Sequence, residues 1–416
     1  MSHVSHQAAT SPQLKRGLAL PHVVLYGLGV TIGAGIYVLV GPAAAQAGVH
    51  APFAFILAAL VMAPTALSLA ELTSRFPVSA GEAAFVREGL QSPGLSLLVG
   101  FGVVAVGVIS AAAISLGSAG YIRSFLDLPN GTLIPLVVLA MGAIAAWGIV
   151  ESVSLAALMT VIEIGGLLLI VATGLWHDPG LVARIPEIVP TTFAPVVWSG
   201  IIASSLLAFF AFIGFEGIVN IAEEAKDPLR TLPRGIFLTL GIATLLYLLV
   251  SAIAIFTVGP EELAQSEAPL GTVFGHVTGA PPQILAAIAI VATLNGIVIQ
   301  MIMASRVIYG LAVQGSLPPW LARVSPTTQT PLVATGLVMA TVLVLALGFP
   351  LDGLAEMTSR VTLVIFTLTN LSLVFLKWRG QAAAAASFVV PMAVPIAGTI
   401  ICAGFLAGDI LSRLAG

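Results

Sequence analysis

Two glutamates stand inside apolar runs, Glu163 in MTVIEIGGLLLI and Glu216 in AFFAFIGFEGIVN. Glu163 lies about ten residues from either end of its run, too deep for a short side chain to reach a membrane interface. An ionised carboxylate at that depth is costly, so it must be protonated, paired or bound to a cation. Glu163 is therefore expected to take up a coupling proton or to help hold sodium. A permanently protonated or Arg-paired glutamate that only joins helices is the competing reading. Glu216, between Gly214 and Gly217, can do similar proton chemistry or can cap a resuming helix, where an acid favours the helix dipole.

The glycines around Glu216 have a counterpart in GLGVTIGAGIYVLVG, residues Gly27 to Gly41. A helix rich in Gly breaks easily. In lipid, an unwound backbone survives only where protein, a water-filled cavity or a ligand satisfies its N–H and C=O groups. Where a helix restarts, unpaired amides attract a carboxylate; where one stops, free carbonyls attract an ammonium or a metal cation. The amides of Gly33, Ala34 and Gly35 are candidates for the first role, and the carbonyls around Phe210, Ala211 and Ile213 for the second. Together they would suit a zwitterion. Close helix packing is the plainer explanation for one glycine cluster, but two at corresponding positions, one bearing an acid, favour a binding site. Ser115 and Asn295 lie at useful depths as interhelical hydrogen-bonders or substrate contacts.

The elements that must position these residues are membrane spans. Of 416 residues, 58% are hydrophobic and 8% charged, and the mean hydropathy is +1.10, which leaves too little charge to cover a soluble domain. Windows of about 20 residues give eleven spans: 19–46, 51–73, 93–125, 131–150, 153–177, 195–221, 234–258, 281–313, 331–349, 353–377 and 386–413. The basic start of the chain is not read as a cleaved signal, because further spans follow the first. With the N-terminus in the cytoplasm, Lys15, Arg16, Arg75, Arg87, Lys226, Arg230, Arg234, Arg323, Lys377 and Arg379 fall on inner connections and Arg123, Arg184 and Arg413 on outer ones. That asymmetry sets the expected orientation. Interrupted spans in first and sixth place suggest a cytoplasmic tail (1–18), two five-span repeats (19–177 and 195–377) of inverted orientation, and an added span (386–416), with substrate held between the breaks. Arg75 and Arg87, opposite Glu223, Glu224, Lys226 and Asp227, could form an ion-pair gate on the inner side.

Other chemistries are disfavoured. The net charge of −3 argues against nucleic acid. The single Cys402 excludes an internal disulfide, the six histidines show no metal-ligand spacing, and no phosphate loop or nucleophile elbow occurs. No enzyme activity, metal or cofactor is expected beyond a coupling H+ or Na+.

Four ordered stretches, IGAGIYVLVGPAAAQAG (32–48), AELTSRFPVSAGEAAFVREGL (70–90), FFAFIGFEGIVNIAEEAKDPLRTLPRGI (209–236) and SRVIYGLAVQGSLPPWLARVSPTTQTP (305–331), resemble the amino acid–polyamine–organocation superfamily, nearest its bacterial cationic-amino-acid-transporter-like branch. The resemblance implies an all-α polytopic membrane protein with the five-plus-five inverted-repeat (LeuT-like) fold and discontinuous helices 1 and 6. It implies substrate between spans one, three, six and eight. Ile32, Ala34 and Gly35 would contact its carboxylate, Ile213 would offer a carbonyl to its amine, and Phe210 would be an aromatic gate. Glu216 falls where several relatives have an acid associated with pH sensing. Two departures stand out: relatives usually have twelve spans, and Glu163 replaces a lysine that proton-coupled relatives carry in a T-x-x-K pattern.

The function these features imply is secondary active transport of amino acids, neutral and small-to-medium, across the cytoplasmic membrane by alternating access, with proton coupling. Transport of amines or polyamines, amino acid exchange, and a non-transporting amino acid sensor are the alternatives. The expected partners are the substrate and the bilayer, with the chain a monomer or a dimer.

Overall fold

Where no water can hydrogen-bond to the backbone, a spanning chain must satisfy its own amides, and an isolated run can do that only as a helix. The computed structural model describes residues 18–32, 35–76, 81–147, 150–313, 315–328, 330–381 and 388–415. Among them the only bridge between extended segments is a single parallel one, Leu18 to Ala225. The helices are α1 (Leu20–Ile32), α2 (Gly35–Ala47), α3 (Ala51–Arg75), α4 (Gly81–Leu90), α5 (Pro93–Arg123), α6 (Asn130–Trp147), α7 (Val150–His177), α8 (Leu181–Arg184), α9 (Pro195–Phe212), α10 (Pro228–Thr257), α11 (Pro260–Gln265), α12 (Pro269–Thr278), α13 (Gln283–Val313), α14 (Leu332–Gly348), α15 (Leu351–Trp378) and α16 (Ala393–Ala415). A 3-10 segment, Phe215–Glu224, follows α9.

Nine described stretches are long and apolar enough to cross a membrane; the first, Leu20–Arg75, contains α1 to α3, and the shorter α14 adds a further apolar helix. They coincide run by run with the expected spans. Proline opens α5, α9 and α10, where its missing N–H has no helical partner to lose. The exterior is apolar, with Trp147 77% and Trp176 90% exposed, while Glu163, Asn295 and Asn370 are buried. That pattern, polar within and apolar without, fits lipid as the surrounding solvent.

The connections hold more structure than expected. Short helices occupy three of them: α4 between α3 and α5, α8 between α7 and α9, and α11 with α12 between α10 and α13. Helix ends are joined by charge. Glu71 of α3 is fully buried and pairs with Arg75 at 2.6 Å and Lys377 at 2.8 Å, and it accepts the Val390 N–H at 2.8 Å. Arg379 donates to the carbonyls of Glu88 and Gly89 at the end of α4. Arg75 thus helps close the α3–α15 junction through Glu71; the side chains of Glu223 and Glu224, acids of the expected gate, lie outside the described residues. Arg360 of α15 bonds to Asp409 of α16 at 2.5 Å and to Glu356 at 2.9 Å.

Candidate functional site

The interruption of the sixth span is present, and it touches the stretch where the first was expected. α1 ends at Ile32 and α2 begins at Gly35; Gly33 and Ala34, expected at the carboxylate pole, lie outside the described residues. In the sixth span, α9 ends at Phe212, Ile213 is extended, and Gly214 adopts φ +131°, a conformation that side-chain-bearing residues rarely take. A Cβ on Gly35 would overlap Ala211, lying 2.6 Å from that residue's Cβ, and one on Gly214 would lie 2.7 Å from the Val30 carbonyl oxygen. Each glycine therefore lets one break press against the other.

The half-helices pair in a regular way. α1 packs beside the 3-10 segment, and α2 beside α9. Ser204 of α9 donates to the Ala43 carbonyl of α2 at 3.2 Å. At the far end of α1, the Leu18–Ala225 bridge and the Lys226 N–H on the Leu18 carbonyl, 3.0 Å, join the start of α1 to the end of the 3-10 segment.

A small cavity lies between the α1–α2 junction, the end of α9 and two long helices. Its walls are Val30 and Thr31 from α1, Gly35 from α2, Phe210 and Ile213 from the sixth-span break, Ser110 and Ile114 from α5, and Gly296, Ile299 and Gln300 from α13. Gly35, Phe210 and Ile213 were expected there. Ile32 and Ala211 are fully buried beside it without lining it. Two of the carbonyls expected to meet an amine are occupied: Phe210 accepts the Ile213 N–H at 3.1 Å, and Ala211 accepts from the Tyr247 hydroxyl at 2.9 Å. The same hydroxyl lies 2.8 Å from the Thr31 carbonyl, so one phenol of α10 joins α1 to the end of α9.

Ser115 and Asn295 do not line the cavity. The Ser115 hydroxyl turns back to the Ala111 carbonyl at 2.7 Å, a bond that a helical serine makes readily. Asn295 donates at 2.9 Å to one carboxylate oxygen of Glu163. Glu163 is fully buried, and its other carboxylate oxygen has no partner among the described residues. Tyr37, on α2 just past the first break, donates to the Glu163 backbone carbonyl at 2.6 Å, and Tyr121 donates to the Tyr37 carbonyl. These contacts run from the first break to the lone carboxylate.

Glu216 caps its own segment, accepting the Gly214 N–H at 2.8 Å. Glu82, on α4 outside the spans, is buried and interacts electrostatically with it. Burial pushes the Glu82 carboxyl up from 4.5 to about 7. Among the described residues, no group of three or more His, Cys, Asp or Glu could hold a metal ion.

Sequence reasoning singled out Asn295 and passed over Gln300 on the same helix, and it missed Ser110 in favour of Ser115. The usable signal was helical spacing. Gly296, Ile299 and Gln300 share one face of α13, and Ser110 and Ile114 share one face of α5. Tyr247 carried no local signal.

Residues 19–409 match the amino acid permease family. The chain is 31% identical over 396 residues, 89% of its length and 83% of the relative's, to the branched-chain amino acid permease BcaP of Bacillus subtilis. It is 29% identical over 390 residues to the vacuolar cationic amino acid transporter 2 of Arabidopsis thaliana, and 31% identical over 391 residues to that plant's vacuolar cationic amino acid transporter 4. These matches cover 88% of this chain in both cases and 60% and 64% of the plant proteins, so the chain spans less than two thirds of their length. With its long apolar helices and a match over nearly all of its length, the chain belongs to the amino acid permease family of multi-pass membrane transporters, within the amino acid–polyamine–organocation superfamily.

Proposed function

We propose that the protein is a secondary active transporter of small-to-medium neutral amino acids in the cell membrane, working by alternating access with its N-terminus in the cytoplasm. The observation that carries this reading is the meeting of the interrupted sixth span with the Gly35 end of α2 at one cavity. Amides at the first break would receive the substrate carboxylate, and the second break would receive the ammonium. The paired half-helices, α1 with the 3-10 segment and α2 with α9, support two inverted five-helix repeats. Phe210, on the cavity wall, would close over the substrate.

Glu163 is the proposed proton-coupling residue. One of its oxygens is held by Asn295 and the other has no described partner, which leaves a place for a proton next to helix elements that end at the first break. A neutral carboxyl there avoids the cost of a buried charge. Glu216, as the cap of the second break, would be a further proton-responsive group. A pH gradient imposed on proteoliposomes should drive accumulation by the wild type, whereas Glu163→Gln should bind substrate and exchange it while losing the response to the gradient. Full gradient-driven accumulation by that variant, with no loss of any sodium dependence, would remove Glu163 from the coupling role.

A further inference from the structure

Half of the cavity wall is aliphatic or aromatic, and two further lining residues are glycines. Three polar side chains interrupt the wall: Thr31, Ser110 and Gln300. Gln300 is 5% exposed, and its amide oxygen has no hydrogen-bond partner among the described residues. A buried amide left unpaired costs free energy unless something arrives to satisfy it. The Thr31 hydroxyl is also unpaired, but it belongs to the first break, beside the proposed carboxylate pole. Gln300 sits on α13 with Ser110 of α5 contributing to the same cavity, on helices that belong to neither break.

The backbone carrying Gln300 has little freedom to withdraw. A Cβ on Gly107 of α5 would lie 3.2 Å from the Gln300 carbonyl oxygen and 3.1 Å from the Ala304 Cβ, so the two helices are packed almost backbone to backbone at this level. If the breaks take the ammonium and carboxylate, the α5–α13 wall is left for the substrate side chain.

We infer that Gln300 reads that side chain through a hydrogen bond, so the site selects neutral amino acids bearing a hydroxyl or amide over apolar isosteres of the same size. This rests on the amino acid reading above and narrows it. A site with a buried polar group discriminates strongly against an analogue that leaves the group unpaired, whereas an apolar pocket barely separates isosteres. The amide can donate or accept according to its orientation, so both hydroxyl and carboxamide side chains satisfy it.

The test is a thermal-shift titration of the purified full chain with isosteric pairs, threonine against valine and asparagine against leucine, together with the decarboxylated amine of each. Wild type should bind threonine about tenfold or more tightly than valine. Gln300→Met, close in length but without the amide, should bring the two within about threefold, chiefly by weakening threonine. Gln300→Leu serves the same purpose if the methionine variant does not fold. Equal binding of threonine and valine by wild type overturns the inference, as does an undiminished preference in the variants. If amines stabilise the protein and no amino acid does, the amino acid reading fails and this inference fails with it; amino acid binding without polar preference overturns the inference alone.

Discussion

A phenol has one proton to donate, yet the Tyr247 hydroxyl lies within 2.9 Å of two carbonyls, Thr31 of α1 and Ala211 of α9. It can satisfy an acceptor that the break after Phe212 would otherwise leave bare in the core. Tyr247→Phe keeps the ring and removes this bond, so stability should fall by about 1–3 kcal/mol, seen as a lower melting temperature with the helix content unchanged. Nothing around Tyr247 in the sequence marks this role, because both acceptors come from remote segments. Glu163 was legible for the opposite reason: a carboxylate inside an apolar run is conspicuous by itself. Its partner Asn295 was visible as a polar residue, but the choice between substrate contact and helix contact needed three dimensions.

Glu82 gives a prediction with a definite sign. Its folded-state value of about 7 stands above the ordinary 4.5, so the folded protein holds this proton more tightly than the unfolded chain does. Stability is unaffected by the group below about pH 4.5, declines as pH rises towards 7, and stays lowered above it, by about 3 kcal/mol in all. Glu82→Gln should remove that slope. Melting temperatures of wild type and variant, followed from pH 5 to 8, should diverge with the variant higher at the alkaline end; parallel curves would count against a buried, proton-retaining Glu82.

Among the helices, the apolar runs marked every span because length and hydropathy are properties of the chain itself. The short α4, α11 and α12 escaped because a window of about 20 residues averages them away. The glycines beside Glu216 were recognised as a break, but the clearance around them was not. Gly35→Ala would drive a methyl group into Ala211, and backbone cannot yield as a flexible side chain does; overpacking of this kind costs about 1–3 kcal/mol. Transport should be lost together with melting temperature. Gly165→Ala is the control: a Cβ there meets nothing within 4 Å, so the substitution should be neutral or stabilise α7 by up to about 1 kcal/mol.

Taken as one molecule, the protein places its charges where elements must stay joined. Arg360 compensates both Asp409 and Glu356 within the apolar layer, and it holds α16 against α15. The sequence offered no role for Arg360, because Asp409 lies 49 positions away on a helix outside the proposed repeats. Arg360→Met would remove the guanidinium that bridges Asp409 and Glu356 and should lower stability by about 1–3 kcal/mol. Protease sensitivity should then appear in residues 379–392, ahead of any loss around α5 and α13; Asp409→Asn, which leaves Glu356 paired, should be the milder change.

The two glycine contacts at the breaks have a mechanical meaning. Gly35 against Ala211 and Gly214 against Val30 act as meshed teeth with no clearance, so neither span can shift here without displacing the other. In the proposed cycle this favours an all-or-nothing response: a solute engaging only one pole would have to push on both. Backlash is what permits slippage in a gear train, and here there is almost none. Uncoupled leak should therefore rise when clearance is introduced at these contacts, as in Ala211→Gly, even where substrate still binds.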